Sequence, residues 1–255
     1  MKSANILVST LILLSSIVST TAAYSADSGV ENPEANIRVR WQRIDIPEAR
    51  CGDGSKYSVF IDVKDKTPDK LLIEFMGGGA CWSSSTCESL SYMAWLRKIP
   101  MIPAFSYLTY ENSSQPWAKH SVVYFPYCTG DVHSADVIVD HDNNGNVTYH
   151  TGYKNIVKAL EFLQKNNWVN FSKYKDVTVW GASAGAIGAM VHAHSIEAYL
   201  KPDAKKTWIA DSPGLHFGRT FWHKFPTKVQ DSFKTHFGDA GLVVDLDDGL
   251  VAKIS

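Results

Sequence analysis

The stretch Val177-Thr178-Val179-Trp180-Gly181-Ala182-Ser183-Ala184-Gly185-Ala186-Ile187-Gly188 decides the fold. Its first four residues are β-branched or aromatic and predict a strand, Val177–Trp180. Ala184–Leu200 is rich in Ala, carries Ile187, Met190 and Val191, and predicts a helix. Between the two sits Gly-x-Ser-x-Gly, and a serine on a sharp strand-to-helix turn is a nucleophile elbow. The turn lifts the Ser183 hydroxyl above the sheet edge in a strained backbone conformation. Residues 181 and 185 must lack side chains where strand and helix cross. The helix start then places partial positive charge beside an oxygen that turns anionic during acyl transfer.

Upstream, Leu72-Ile73-Glu74-Phe75-Met76-Gly77-Gly78-Gly79-Ala80-Cys81-Trp82 carries three glycines directly after an apolar strand. Such a loop turns backbone N–H groups toward one point. In serine hydrolases of this order it supplies one oxyanion donor, and the residue after the nucleophile supplies the other. That assigns Gly78 or Gly79, Gly79 by preference, together with Ala184. A phosphate-binding loop is the rival, and it fails because no Gly-Lys-Ser/Thr follows.

Further strands are predicted near Ile37–Ile46, Tyr57–Val63, Leu71–Met76, Val122–Pro126 and Trp208–Ala210. Ile156, Val157, Leu160 and Leu163 mark a long helix, and Glu88–Arg97 a weaker one. Strands alternating with amphipathic helices predict an α/β architecture: a mostly parallel sheet with helices on both faces. The leading pair, joined through Arg50–Lys56, is predicted antiparallel at the edge. Val137–Val139 and Val147–Tyr149 form a small hairpin around Asn143-Asn144-Gly145.

The chain resembles the pectin acetylesterases and the related Notum-type carboxylesterases. The matching words are Cys51-Gly52-Asp53-Gly54-Ser55, Gly77-Gly78-Gly79-Ala80-Cys81-Trp82, Pro126-Tyr127-Cys128-Thr129-Gly130-Asp131-Val132-His133, Gly181-Ala182-Ser183-Ala184-Gly185 and Ala210-Asp211-Ser212-Pro213. They fall in family order across roughly residues 50–215. The resemblance implies an α/β-hydrolase fold and ester hydrolysis through Ser183, with a small acyl group such as acetyl on a pectin-like polysaccharide. It also implies that the acid and base sit on loops after later strands. About forty residues follow Pro213, and they contain no such strand–loop unit, so the reading expects a domain incomplete at its C-terminal side. Asp211 is the internal candidate for the acid; the resemblance makes it a wall of the cleft instead. For the base, His216, His223 and His236 are the later candidates, while His192 and His194 lie too far along the helix. Two rival functions follow: an inactive esterase-fold protein lacking its His and Asp partners, and a carbohydrate-binding module reusing the cleft.

The 255 residues hold 25 basic and 26 acidic side chains, a net charge of −1. A balance this even excludes a nucleic-acid footprint, which needs a basic surplus. Residues 1–26 read as a cleaved signal peptide: Lys2, the apolar run Ile6–Val18, then small residues to Ala26. That run falls short of the ~20 residues a spanning helix needs, so no membrane span is predicted. Residues 27–255 are then one domain, secreted or periplasmic. Export makes Cys51, Cys81, Cys87 and Cys128 an even set in an oxidising compartment, hence two disulfides. Three pairings are possible; Cys81 and Cys87 are close enough to staple one loop, which leaves Cys51 with Cys128, the pairing the resemblance also favours. No cofactor or metal is implied. Asp140–Thr151 matches half of a calcium loop and reads as a hairpin tip. Asp131, His133 and Asp136 read as structural or cleft-lining, and the aromatic tail of Phe217, Phe221, Trp222 and Phe225 as cover over the cleft, part of a lid, or a substrate-facing surface.

Overall fold

The computed structural model describes residues 41–64, 69–88, 116–214, 220–245 and 249–251. Residues 1–26, expected to be a signal peptide, the start of the predicted Ile37–Ile46 strand, nearly all of the predicted Glu88–Arg97 helix, His216 and Phe217 lie outside them. In chain order the elements are β1 (Gln42–Arg50), β2 (Lys56–Asp62), β3 (Lys70–Phe75), α1 (Ser84–Glu88), β4 (Ser121–Phe125), β5 (Val137–Asp140) and β6 (Val147–His150). Then come α2 (Gly152–Lys165), β7 (Asp176–Ala182), α3 (Ala184–Val191), α4 (Ala193–Glu197), β8 (Lys205–Asp211), α5 (Thr227–Asp239), β9 (Val243–Asp245) and β10 (Gly249–Val251).

Six strands form one sheet in the order β1-β2-β4-β3-β7-β8. β4, β3, β7 and β8 are parallel neighbours, while β1 and β2 add an antiparallel margin. β3 and β4 are buried almost end to end, as expected of central parallel strands covered on both faces. The pleat divides them. Leu71, Ile73 and Phe75 share a core with Val123, Phe125, Val177 and Val179, and with α2 and α3. Leu72, Val122 and Trp180 face the other way, against Trp41, Trp117 and Ile209.

α2 forms because Ile156, Leu160 and Leu163 recur on one face, and all three are fully buried. Each stabilises the fold by about 1.5–3 kcal/mol relative to an exposed position. Asn155 on the same helix ties it to β1, accepting the Arg50 amide at 3.1 Å and donating to the Arg50 carbonyl at 2.6 Å.

Three local departures from the sequence reading have physical causes. β1 runs on to Arg50, because a register break between Asp45 and Arg50 carries the strand past Pro47 and Glu48, the latter at φ +63°. A proline cannot donate to a ladder, so this arrangement suits an edge strand. The predicted helix Ala184–Leu200 divides at His192, whose side chain turns into the core instead of continuing the helix surface. Finally, α5 follows the aromatic tail, and Phe233 and Phe237 bury themselves against Trp222 and Phe225. Trp222 and Phe225 of that tail are core.

Both disulfides are formed, Cys51 with Cys128 and Cys81 with Cys87. The first closes 77 residues and binds the β1–β2 turn to the segment after β4, where the Gly52 amide also donates to the Cys128 carbonyl at 2.6 Å.

Candidate active site

The β7–α3 junction places Ser183 at φ +55° and ψ −122°, a conformation that L-residues seldom adopt. Holding it there costs on the order of 1–3 kcal/mol, which the surrounding packing must overrule. The packing is close. A Cβ at Gly181 would meet the Gly185 carbonyl, and one at Gly185 would meet the Phe75 carbonyl and Met76. Ser183 is exposed, while Ala184 is buried directly beneath it at the helix start. The Ala184 amide belongs to the first turn, whose N–H groups have no partner inside the helix.

β3 ends beside this turn. A Cβ on Gly77 would lie 2.5 Å from the Ala182 carbonyl oxygen and 3.6 Å from Ser183 Cβ. Gly78 follows at φ +151°, a region open to glycine, and Gly79 is exposed. The glycine run and the elbow are therefore brought together, as parallel pairing of Phe75 with Gly181 requires. The Cys81–Cys87 disulfide closes the loop behind the run, and Cys81 donates its amide to the Gly130 carbonyl at 2.8 Å. Trp82 then packs edge-on against Phe221 and Phe225, so the aromatic tail supports the loop after the glycines.

Asp211 ends β8, opposite Ala182 in the ladder. Its backbone carbonyl accepts the Ser183 amide at 2.9 Å, and its exposed carboxylate accepts the Ser212 hydroxyl at 2.9 Å. Most of the described histidines are engaged elsewhere. His236 stacks on Tyr153 at 3.7 Å and donates Nδ1–H to the Ser134 carbonyl. His192 donates Nε2–H to the His133 carbonyl at 2.9 Å. His223 and His194 are exposed.

Asp131 is structural. The Asp131 carboxylate is fully buried and accepts the Thr129 hydroxyl and the amides of Gly152 and Ala135. Burial pushes its pKa up to about 6. Burial also pulls His133 down to about 4, and His150 and His192 to about 3. At the hairpin tip, Asp140 accepts the amides of Asn144 and Gly145, which is turn chemistry. Cys81, Cys87 and His150 gather within 4.8 Å of one another, but the two sulfurs are bonded to each other and offer no thiolate pair to a metal. Among the described residues no helix is long and apolar enough to cross a membrane.

Sequence reasoning missed the inward roles of His192 and His236. Gly188 signals a close approach on that helix, but to His133 and Phe75 rather than to His192 or His236.

A mostly parallel sheet with a strained serine between strand and helix, facing a glycine loop from the neighbouring strand, defines an α/β-hydrolase fold. The chain belongs to the pectinacetylesterase family, whose model matches residues 35–240. It is 26% identical over 166 residues to the palmitoleoyl-protein carboxylesterase NOTUM of Schmidtea mediterranea, covering 62% of this chain and 30% of that protein. A solved structure of the Wnt deacylase Notum from Drosophila matches with a TM-score of 0.51 at 16% identity, over 68% of this chain and 52% of that one. This second likeness concerns the fold alone. The chain spans 30% of the length of the curated relative.

Proposed function

We propose that the protein is an exported serine esterase that removes a small acyl group, acetyl above all, from a pectin-like polysaccharide. The observation that carries the reading is the contact between the Ser183 elbow and the Gly77–Gly79 run, with Ser183 at φ +55°. Family membership supports ester hydrolysis, and two disulfides suit an oxidising compartment.

In this reading the Ser183 oxygen adds to the acyl carbon while its proton passes to a base. The amides of Gly79 (or Gly78) and Ala184 stabilise the resulting oxyanion. The bond to the alcohol oxygen breaks and the alcohol leaves with the proton. Water then adds to the acyl-enzyme, releases acetate and restores the Ser183 hydroxyl. Asp211 is the acid candidate by its place at the same sheet edge. His133, His150, His192 and His236 donate to carbonyls or stack in the core, so the base is assigned to none of them.

That engagement of the histidines favours one second reading, an esterase fold without hydrolysis. A fluorophosphonate probe and p-nitrophenyl acetate separate the two. Labelling and turnover that disappear in Ser183→Ala support the esterase. Absence of both in the folded wild-type chain overturns it, and loss of acetate release from acetylated pectin alone overturns the substrate.

A further inference from the structure

We propose that His133 is a positioning residue for this hydrolysis: it braces the Met76–Gly77 peptide, and through it the glycine run that carries the oxyanion donors. The inference rests on the esterase reading and adds a residue to it.

The Met76–Gly77 peptide is trans, as no cis bond occurs among the described residues. In a planar trans peptide the Gly77 N–H points opposite to the Met76 carbonyl, so whatever fixes the carbonyl fixes the amide. His133 Nε2 lies 2.9 Å from that carbonyl oxygen. A carbonyl can only accept, so Nε2 carries the hydrogen and the ring is held in one neutral tautomer. The Met76 amide is bonded in turn to the Phe125 carbonyl at 2.9 Å, so the residue leading into the glycines is held at both ends.

His133 is itself fixed on every side. It stands at φ +61° directly after Val132 at φ +51°, two consecutive residues in a region that side chains avoid. The Val132 amide donates to the Tyr127 hydroxyl at 2.7 Å. The His133 ring meets Phe75 edge-on at 5.5 Å, and Gly188 leaves it room, since a Cβ there would lie 2.9 Å from His133 Cβ and Cδ2. Its carbonyl accepts His192 Nε2–H, and the His192 ring stacks between Phe75 at 5.8 Å and Tyr153 at 5.0 Å. A strained, buried turn that ends in one donor aimed at the peptide before the glycines is a brace. A residue that only filled the core would need no donor and would not justify the strain.

The test compares His133→Phe, which keeps the volume and loses the donor, with His133→Gln, which keeps an N–H at the reach of Nε2. Steady-state hydrolysis of p-nitrophenyl acetate is measured on the full chain, together with amide spectra of Gly77, Gly78 and Gly79. Removing an oxyanion donor outright costs roughly 10²–10³ in kcat, and a displaced one should cost less. His133→Phe is expected to lower kcat roughly ten- to a hundredfold with KM nearly unchanged, and to shift or broaden the three glycine signals. His133→Gln should restore most of kcat. A folded His133→Phe chain with wild-type kcat, or with unmoved glycine signals, overturns the proposal. If His133→Phe does not fold, ring ¹⁵N shifts of the wild type decide: a neutral, Nε2-protonated ring supports the brace and an Nδ1-protonated ring overturns it. Failure of the esterase reading is distinguishable. It appears as no turnover in wild type or as full turnover in Ser183→Ala, and the glycine signals and ring shifts still decide on the brace.

Discussion

The amide of Ser183 lies 2.9 Å from the carbonyl oxygen of Asp211. The elbow residue is thus still laddered to β8 after its chain has left β7, and the helix begins one residue later. This tether leaves no slack for a wider turn, so the close approach of Gly185 to Phe75 cannot be relieved by the elbow drifting outward. Gly185→Ala would drive a Cβ into backbone at the Phe75 carbonyl. Overpacking of this kind typically costs 1–3 kcal/mol, and rigid backbone puts it at or above about 3 kcal/mol. Urea titration should show a large drop in midpoint. An unchanged midpoint would mean that strand and helix do not cross there.

The two disulfides should separate by function. The Cys51–Cys128 bridge closes 77 residues and Cys81–Cys87 only 6. Loop entropy then assigns about 4 kcal/mol to the first and about 2 kcal/mol to the second. Replacing Cys51 and Cys128 by Ala should lower the melting temperature more. Replacing Cys81 and Cys87 should lower ester turnover more, because that bridge closes the loop behind Gly77–Gly79. The opposite ranking in calorimetry and kinetics would sink this division.

Stability should fall on mild acidification. His133 titrates near 4 in the fold, and His150 and His192 near 3, whereas an unfolded histidine titrates near 6.5. Below that value the unfolded chain binds protons that the folded chain refuses, so their contribution is lost as pH drops toward 4. The loss is roughly 2 kcal/mol per histidine by pH 5. Asp131, raised from 3.8 to about 6, acts in the opposite sense: its contribution is greatest below 3.8 and is lost as pH rises through 6. One carboxyl does not offset three histidines. Urea midpoints at pH 7.5, 6 and 5 should decrease in that order, and a flat or rising series would contradict the buried, neutral assignment.

The aromatic group after β8 should behave as core. Phe233 is fully buried, with its ring 5.1 Å from Phe225 and 5.6 Å from Trp222. Phe233→Ala should cost about 3–5 kcal/mol. Because Trp82 packs on Phe221 and Phe225, the same variant should also slow ester turnover in the protein that remains folded. A loss of turnover with no loss of stability would instead return this segment to the role of a lid.

Some of this was legible in local pattern. The period of Ile156, Leu160 and Leu163 predicts α2, and the glycines at 181 and 185 predict the crossing of β7 with α3. An even number of cysteines together with the predicted export argues for two disulfides. Other features have no local signal. Whether His192 continues a helix surface or turns inward depends on the His133 carbonyl, 59 residues away, arriving 2.9 Å from it. His236 likewise stacks on Tyr153, in an element far back in the chain.

Local pattern alone thus fixed most of the sheet strands, α2 and the turn that bears Ser183, because side-chain period and the absence of a Cβ act within a few residues. Only the tertiary structure decided which histidines are core, what the aromatic tail packs against and how β3 meets the elbow. Burial and hydrogen-bond partnership at those places are set by residues distant in the chain, which meet only when the sheet order β4-β3-β7-β8 is in place.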